Sequence, residues 1–269
     1  MKFIKILLIL VFAATAALYT LHSMDRQADH TAEGPTLTRE AGTLNISVHS
    51  GDEALLDGIT ATDAQDGDLT DRIIISGVSK LTGDDTFKAT YVVFDSDDNM
   101  ATVTRQVHYT DYRRPRFILD EPLAYTTTQN LALLDRLHAT DVVDGSITHS
   151  VRVSYARETD VPEIYYIDVQ VTNSMGDTSW LTVPILIQEE DKDRPMIALD
   201  TYLVYLQTGE IFDPYDHLLG ATWNGDTLLA QNLTVSGRAN TNVPGTYYIT
   251  YTASYAGHTG TAILTVVVE

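Results

Sequence analysis

A ten-residue stretch that returns along the chain constrains the fold more than any other feature. Residues 61–70 read Ala61-Thr62-Asp63-Ala64-Gln65-Asp66-Gly67-Asp68-Leu69-Thr70, and residues 139–148 read Ala139-Thr140-Asp141-Val142-Val143-Asp144-Gly145-Ser146-Ile147-Thr148. A shorter echo, Ala221-Thr222-Trp223-Asn224-Gly225-Asp226, follows. Recurrence of this kind marks tandem structural units. Shifted by 78 positions, 61 onto 139, the first copy stays in register from Ala54-Leu55-Leu56-Asp57 to Asp98-Asn99, with no room for a helix-length insertion. The junctions repeat too: Arg114-Pro115-Arg116-Phe117-Ile118-Leu119-Asp120 heads the second copy and Arg194-Pro195-Met196-Ile197-Ala198-Leu199-Asp200 the third. A proline at the head of a strand gives up a donor where no ladder partner is required, which suits a short, stiff joint.

Within each copy the apolar residues alternate with period 2, the pattern of a half-buried strand. Leu44, Ile46 and Val48 open the first copy; Ile73 and Ile75 match Val151 and Val153; Phe87, Ala89, Tyr91 and Val93 match Tyr165, Ile167, Val169 and Val171. Ala101, Val103, Arg105 and Val107 lie over Ser179, Leu181, Val183 and Ile185, and the third copy continues with Tyr247, Ile249, Tyr251 and Ala253, then Ala262, Leu264, Val266 and Val268. These positions are expected to face inward, with Arg105 the one misfit, expected to snorkel at a sheet end. Asp-Gly and Asn-Gly turns separate the runs, and no helical period competes after residue 22. Each copy has room for about seven short strands, the number an immunoglobulin-type antiparallel sandwich needs. The expected fold is therefore all-β: three tandem immunoglobulin-like β-sandwich domains over residues 43–112, 113–190 and 191–269. At about 75 to 80 residues each, such units sit near the lower size limit for independent stability, so neighbours are expected to lend support.

The ends and the charge place the chain. Lys2 and Lys5 precede an apolar run from Ile6 to Leu21, and Ala14-Thr15-Ala16 resembles a cleavage site. Residues 1–21 thus read as a signal peptide or as an N-terminal hydrophobic helix that anchors the chain, the run reaching the lower length limit for a span. Both alternatives put the remainder outside the cytoplasm: membrane-anchored, or secreted if the helix is cleaved. Residues 22–42, polar and broken by Gly34-Pro35, read as a flexible tether. No wall-sorting signal is recognised near Glu269, so attachment is expected to rest on the first 21 residues. A formal charge of −20 opposes binding to nucleic acid or anionic lipid. With no cysteine, disulfides, thiolate metal sites and cysteine nucleophiles are excluded.

The run Ala-Thr-Asp-x-x-Asp-Gly-Asp-Leu-Thr, followed by Tyr91-Val92-Val93-Phe94-Asp95-Ser96-Asp97-Asp98-Asn99 and Ala101-Thr102-Val103-Thr104-Arg105, resembles the bacterial Ig-like repeat of exported surface proteins. The same module accompanies some pesticidal crystal proteins. The second copy matches well, and the third chiefly through Val243-Pro244-Gly245-Thr246-Tyr247-Tyr248. The resemblance implies a cell-surface stalk or adhesion module.

Two clusters invite a chemical role. Asp63, Asp66, Asp68 and Asp71, with Asp95, Asp97 and Asp98 on a later hairpin, offer hard oxygens for calcium. Against this, the twelfth position from Asp63 is Ile74, and later copies carry Ser146 for Asp68, Met175 for Asp97 and Trp223 for the first Asp. A tight hairpin turn, with Asp63 accepting from nearby amides, survives those changes better. No catalytic, cofactor-binding or metal residue is therefore assigned. Trp180, Tyr166 and Tyr248 fall at outward strand positions, where they either stack on sugars or pack at a domain joint. Histidines such as His49, His108, His138, His149, His217 and His258 are scattered, and no HExxH or GxSxG motif or glycine-rich phosphate loop occurs. The expected function is that of a non-enzymatic extracytoplasmic spacer or adhesion module, the alternative being a glycan- or protein-binding module that uses exposed aromatics. Expected partners are a surface protein or glycan, with the membrane reached through the N-terminal segment only.

Overall fold

The computed structural model describes residues 12, 15, 16, 18, 19, 34–81 and 86–269. Phe12, Thr15, Ala16, Leu18 and Tyr19 are helical. The rest of the expected hydrophobic helix, and the expected tether up to residue 33, lie outside the described residues. Among the described residues no helix is long and apolar enough to cross a membrane. The chain divides into two compact units, residues 1–112 and 113–269.

The first unit contains β1 (Thr36–Arg39), β2 (Leu44–Ile46), α1 (Gly51–Leu56), β3 (Ile59–Asp63), β4 (Gly67–Asp68), β5 (Ile74–Lys80), β6 (Thr86–Phe94) and β7 (Met100–Tyr109). They form a three-stranded sheet, β1-β3-β4, and a four-stranded sheet, β2-β7-β6-β5. The inward residues Phe87, Ala89, Tyr91 and Val93 are fully buried. Three expectations need correction. β1 lies inside the stretch read as tether: only Leu37 supplies an apolar contact, so no alternation signalled it, and backbone pairing to β3 with a Thr38–Thr60 hydroxyl contact of 2.7 Å holds it. α1 is a helix where none was expected; Asp52 and Glu53 sit in its first turn, where carboxylates complement the helix dipole, and Leu55 is buried. Arg105 does not snorkel. It is buried, and its Nη1 donates to the Asp57 carbonyl at 2.6 Å.

The second unit repeats the plan twice. Its first set is β8 (Arg116–Leu119), β9 (Ala124–Thr126), β10 (Leu137–Asp141), β11 (Gly145–Ser146), β12 (Arg152–Glu158), β13 (Ile164–Thr172) and β14 (Thr178–Gln188). Its second is β15 (Met196–Leu199), β16 (Leu203–Leu206), β17 (Leu218–Trp223), β18 (Asp226–Thr227), β19 (Leu233–Ser236), β20 (Gly245–Tyr255) and β21 (His258–Val268). The sheets are β11-β10-β8 with β12-β13-β14-β9, and β15-β17-β18 with β16-β21-β20-β19. A purely antiparallel sandwich was expected; instead each set has one parallel pair, β2 with β7, β9 with β14 and β16 with β21. The cause is the opening segment, which breaks after its first strand and crosses to the other sheet, where it lies beside the last strand. Val153, expected inward, is 52% exposed, because a bulge between Val153 and Tyr155 turns the edge strand β12 off the core.

The second and third repeats share one hydrophobic cluster, which runs from Phe117, Leu119 and Leu123 through Val183 and Leu186 to Leu203, Leu206, Leu264 and Val266. Residues 183–186 of β14 and 262–266 of β21 are buried without alternation, as strands covered on both faces must be. Polar contacts lock the joint. Tyr202 N–H donates to Leu119 O at 2.8 Å, and Phe117 N–H donates to the Tyr205 hydroxyl at 3.0 Å. The Arg116 guanidinium lies 4.6 Å over the Tyr205 ring and pairs with the Glu269 carboxylate. Burial pushes the Tyr205 phenol up to about 12. The repeated junction arginines have parallel tasks: Arg114 reaches Thr178 O at 2.9 Å and Arg194 reaches Thr259 O at 3.1 Å, each tying a repeat's entrance to its own last hairpin.

A shared core couples the two repeats, so calorimetry of the full chain is expected to resolve two unfolding transitions; three would contradict the coupling. Tyr205→Phe leaves the Phe117 amide without its acceptor and should cost the transition of residues 113–269 about 1–3 kcal/mol, with the other transition unmoved.

Candidate functional site

The repeated acidic stretch is a clasp between sheets. β3 and β4 are joined by a three-residue loop that ends at Gly67, whose φ of 79° favours glycine. Asp63 Oδ1 accepts from the amides of Gln65 at 2.7 Å and Asp66 at 2.9 Å, which fixes the loop. Asp66 is thereby aimed at the β6–β7 turn of the other sheet. Its Oδ2 accepts from Ser96 N–H at 2.6 Å and its Oδ1 from Ser96 Oγ at 2.8 Å. Asp144 does the same to Ser174 in the second repeat, at 2.6 Å and 2.7 Å. Ser96 and Ser174 were not singled out from the sequence, although the 78-residue shift lays one on the other.

The receiving turn is built by a second acid. Asp95, only 6% exposed, accepts from the amides of Asp97 at 2.9 Å and Asn99 at 2.7 Å through Oδ1, and from Asn99 Nδ2 at 2.8 Å through Oδ2. Burial raises the Asp95 pKa, but these hydrogen bonds outweigh it and hold the carboxyl below its ordinary value. The second repeat exchanges the pair: Asn173 stands at the Asp95 position and Asp177 at the Asn99 position. Asn173 Oδ1 accepts from Met175 N–H and Asp177 N–H at 3.1 and 2.9 Å, while its Nδ2 donates to Asp141 Oδ2 at 3.1 Å. Asp68 accepts from Thr70 N–H at 2.9 Å, and hydrogen bonds from Thr70 lower its pKa. The calcium candidates Asp63, Asp66, Asp68 and Asp95 thus have their carboxylates turned to protein donors. Asp98 forms the turn itself with φ 64°, and Asp71 is exposed. Among the described residues no three His, Asp or Glu side chains group closely enough to hold an ion.

In the third repeat the loop is one residue shorter. Trp223 pairs with Asp226 across Asn224 (φ 47°) and Gly225 (φ 93°), a two-residue turn with both central residues left-handed. Trp223 Nε1 donates to Asp193 O at 2.9 Å, and its ring lies 4.9 Å from that of Tyr255. His217 and Asp200, and His258 and Asp191, pair at 2.9 Å. Among the described residues no serine or threonine hydroxyl bonds to either imidazole.

The outward aromatics separate into two kinds. Tyr166 and Tyr248 meet with ring centroids 4.7 Å apart and planes tilted by 42° across the repeat 2–repeat 3 joint, and Tyr248 Oη donates to Thr182 O at 3.0 Å. Burial pushes the Tyr248 phenol up to about 12, and both rings are half-buried where they meet. Trp180 stays 66% exposed. Beside it lies a shallow cleft of about 320 Å³ lined by Ser154, Arg157, Asp168, Trp180, Thr182 and Thr246. Arg157 Nη2 pairs with Asp168 Oδ1 at 3.1 Å, and Thr182 Oγ1 donates to the same oxygen at 2.6 Å.

Comparison with known proteins bears on the first repeat most directly. Residues 40–108 match the family model described as "Bacterial surface protein, Ig-like domain", the family that the motif resembles. No curated protein matches the chain. Among solved structures, it is similar to the second CBM51 domain with INT domains of Clostridium perfringens ZmpB in complex with GlcNAc, at 20% identity over 55% of this chain and 26% of that one, with a TM-score of 0.22. The protocadherin gammaB4 extracellular domain gives 12% identity over 87% and 49%, with a TM-score of 0.22. Drosophila N-cadherin EC1-4 gives 11% over 88% and 76%, with a TM-score of 0.23. The chain spans about a quarter of the first of these and about half of the second. No role is carried over from any of them.

Two outcomes follow for the clasp. Asp95→Asn should lower the melting temperature of the first unit by several degrees, because the new amide faces Asn99 Nδ2, and adding Asn99→Asp should recover most of the loss by restoring a carboxylate opposite an amide, the residue order that the second repeat carries at 173 and 177. Because the Asp95 pKa is lowered on folding, its contribution is complete above the ordinary aspartate value of about 3.9 and is lost as pH falls through the folded value. Melting curves should show the first unit weakening below about pH 4, less steeply in the double variant; a pH-independent melt from 7 to about 3 would contradict this.

Proposed function

We propose that the chain is a non-enzymatic, extracytoplasmic surface spacer made of three tandem immunoglobulin-like sandwiches, the first beginning at β1. The observation that carries this is the recurrence, three times, of one seven-strand plan: a three-stranded sheet against a four-stranded sheet whose last strand is joined in parallel by the opening segment. Such modules, stacked in tandem, set a distance. The match of residues 40–108 to a bacterial surface Ig-like family supports an exported location, as does the basic and apolar start of the chain. The shared core of residues 113–269 supports stiffness, since a hinge between those repeats would expose Leu119, Leu203 and their neighbours to water. Residues 1–21 serve either as the anchor or as a removable signal.

Protease treatment of intact cells should digest the sandwiches while cytoplasmic markers survive, and fractionation should place the chain in the membrane or the medium. Full-length protein in the cytoplasm would overturn the reading. N-terminal sequencing of the mature chain then separates anchored from secreted.

A further inference from the structure

The outward face of the sheet β12-β13-β14 is only half covered. At one end Tyr166 lies under Tyr248 of the third repeat. At the other, register sets Arg152, Gln170 and Trp180 side by side on adjacent strands. Asp168 and Thr182 form the next row on the same face, with Arg157 reaching in from the edge. Two adjoining depressions result, one of about 320 Å³ at Trp180 and Asp168 and one of about 460 Å³ at Arg152 and Gln170.

We propose that this face binds a glycan of at least two sugar units carrying a carboxylate. The side chains around the indole suit a sugar. Asp168, Thr182 and Arg157 place a few convergent hydrogen-bonding groups beside one exposed aromatic ring, a ring to stack on and polar groups to orient the hydroxyls. A pyranose presents one face of polarised C–H groups, which suits the negative face of an indole, and an edge of hydroxyls. Asp168 meets that edge: Oδ1 is held by Arg157 and Thr182, which fixes the carboxylate before a ligand arrives, and the side chain is still 31% exposed. Arg157 supplies further donors beside it.

Charge selects an acidic sugar. In a chain of formal charge −20, this face carries two exposed arginines. Arg157 is paired with Asp168, whereas Arg152 forms no ion pair among the described residues. It lies two strands from Trp180, roughly 10 Å at ordinary inter-strand spacing, the position of a second sugar unit. A guanidinium grips a carboxylate through two parallel hydrogen bonds. Uronic acids and sialic acids both supply that group.

The test uses the full chain with four probes: an oligogalacturonate, the same oligosaccharide after carboxyl reduction, sialyllactose, and lactose. At least one acidic probe should bind, about tenfold more tightly than its neutral counterpart, and which of the two binds distinguishes the source of the carboxylate. Trp180→Ala should weaken that binding about tenfold or more with the melting temperature unchanged, because the side chain is exposed, and Trp180→Phe should retain part of it. Arg152→Gln should abolish the preference for acid and leave neutral affinity alone. Failure of every probe, equal binding of acidic and neutral probes, or unchanged binding by Trp180→Ala would each overturn the proposal without touching the spacer reading, which rests on location.

Discussion

A carboxylate that crosses from one sheet to the other closes each of the first two repeats. In a chain without cysteines, two small sheets are held face to face by burial, and burial alone leaves their rims free to splay. Asp66 on Ser96 and Asp144 on Ser174 pin one rim at a fixed point, each with one charged acceptor and two donors. The first acid of the motif, Asp63 or Asp141, makes this possible by fixing the loop that carries the second. An acidic stretch that looks like a cation site thus has its carboxylates hydrogen-bonded internally by amide and hydroxyl donors. The third repeat, lacking the first acid, uses an indole anchored on Asp193 instead.

The joints obey a different constraint. Repeats of this size have little interior, and the second and third extend theirs by burying a shared layer between them. That layer explains why β14 and β21 depart from alternation, why Tyr166 and Tyr248 meet each other, and why Tyr205 takes Arg116 on its face and an amide on its hydroxyl. Trp180, two residues from the covered Thr182, falls just beyond the joint and remains open. The exposure of Trp180 is therefore an edge effect of how far the third repeat reaches.

Much of this was legible in advance. Phe87, Ala89, Tyr91, Val93, Val169, Val171, Ile249, Leu264 and Val266 are buried as their alternation demanded, and Asp63 and Gly67 form the expected turn. β1 was not legible, because an edge strand held by backbone pairing needs few apolar residues. Neither was the burial of Arg105, since a carbonyl such as Asp57 O, left unpaired at a helix end, carries no side-chain signature. Val153 keeps its register opposite the buried Val169 but is left half open, because β12 is an edge strand and bends at the bulge that follows, and neither an edge nor a bulge leaves a period.

Residue pattern alone placed most of the strands and the turn at Asp63 and Gly67, because alternation and the demands of positive φ are local and act on each residue alone, but it did not give β1, α1 or the parallel pairs. Tertiary packing decided which acids meet which hydroxyls, and that Tyr166 and Tyr248 meet at a joint while Trp180 stays exposed. Those outcomes depend on pairing between residues some 30 to 80 positions apart, such as Asp66 with Ser96 and Tyr248 with Thr182. Period and propensity say which way a side chain points, and packing alone says what it meets there.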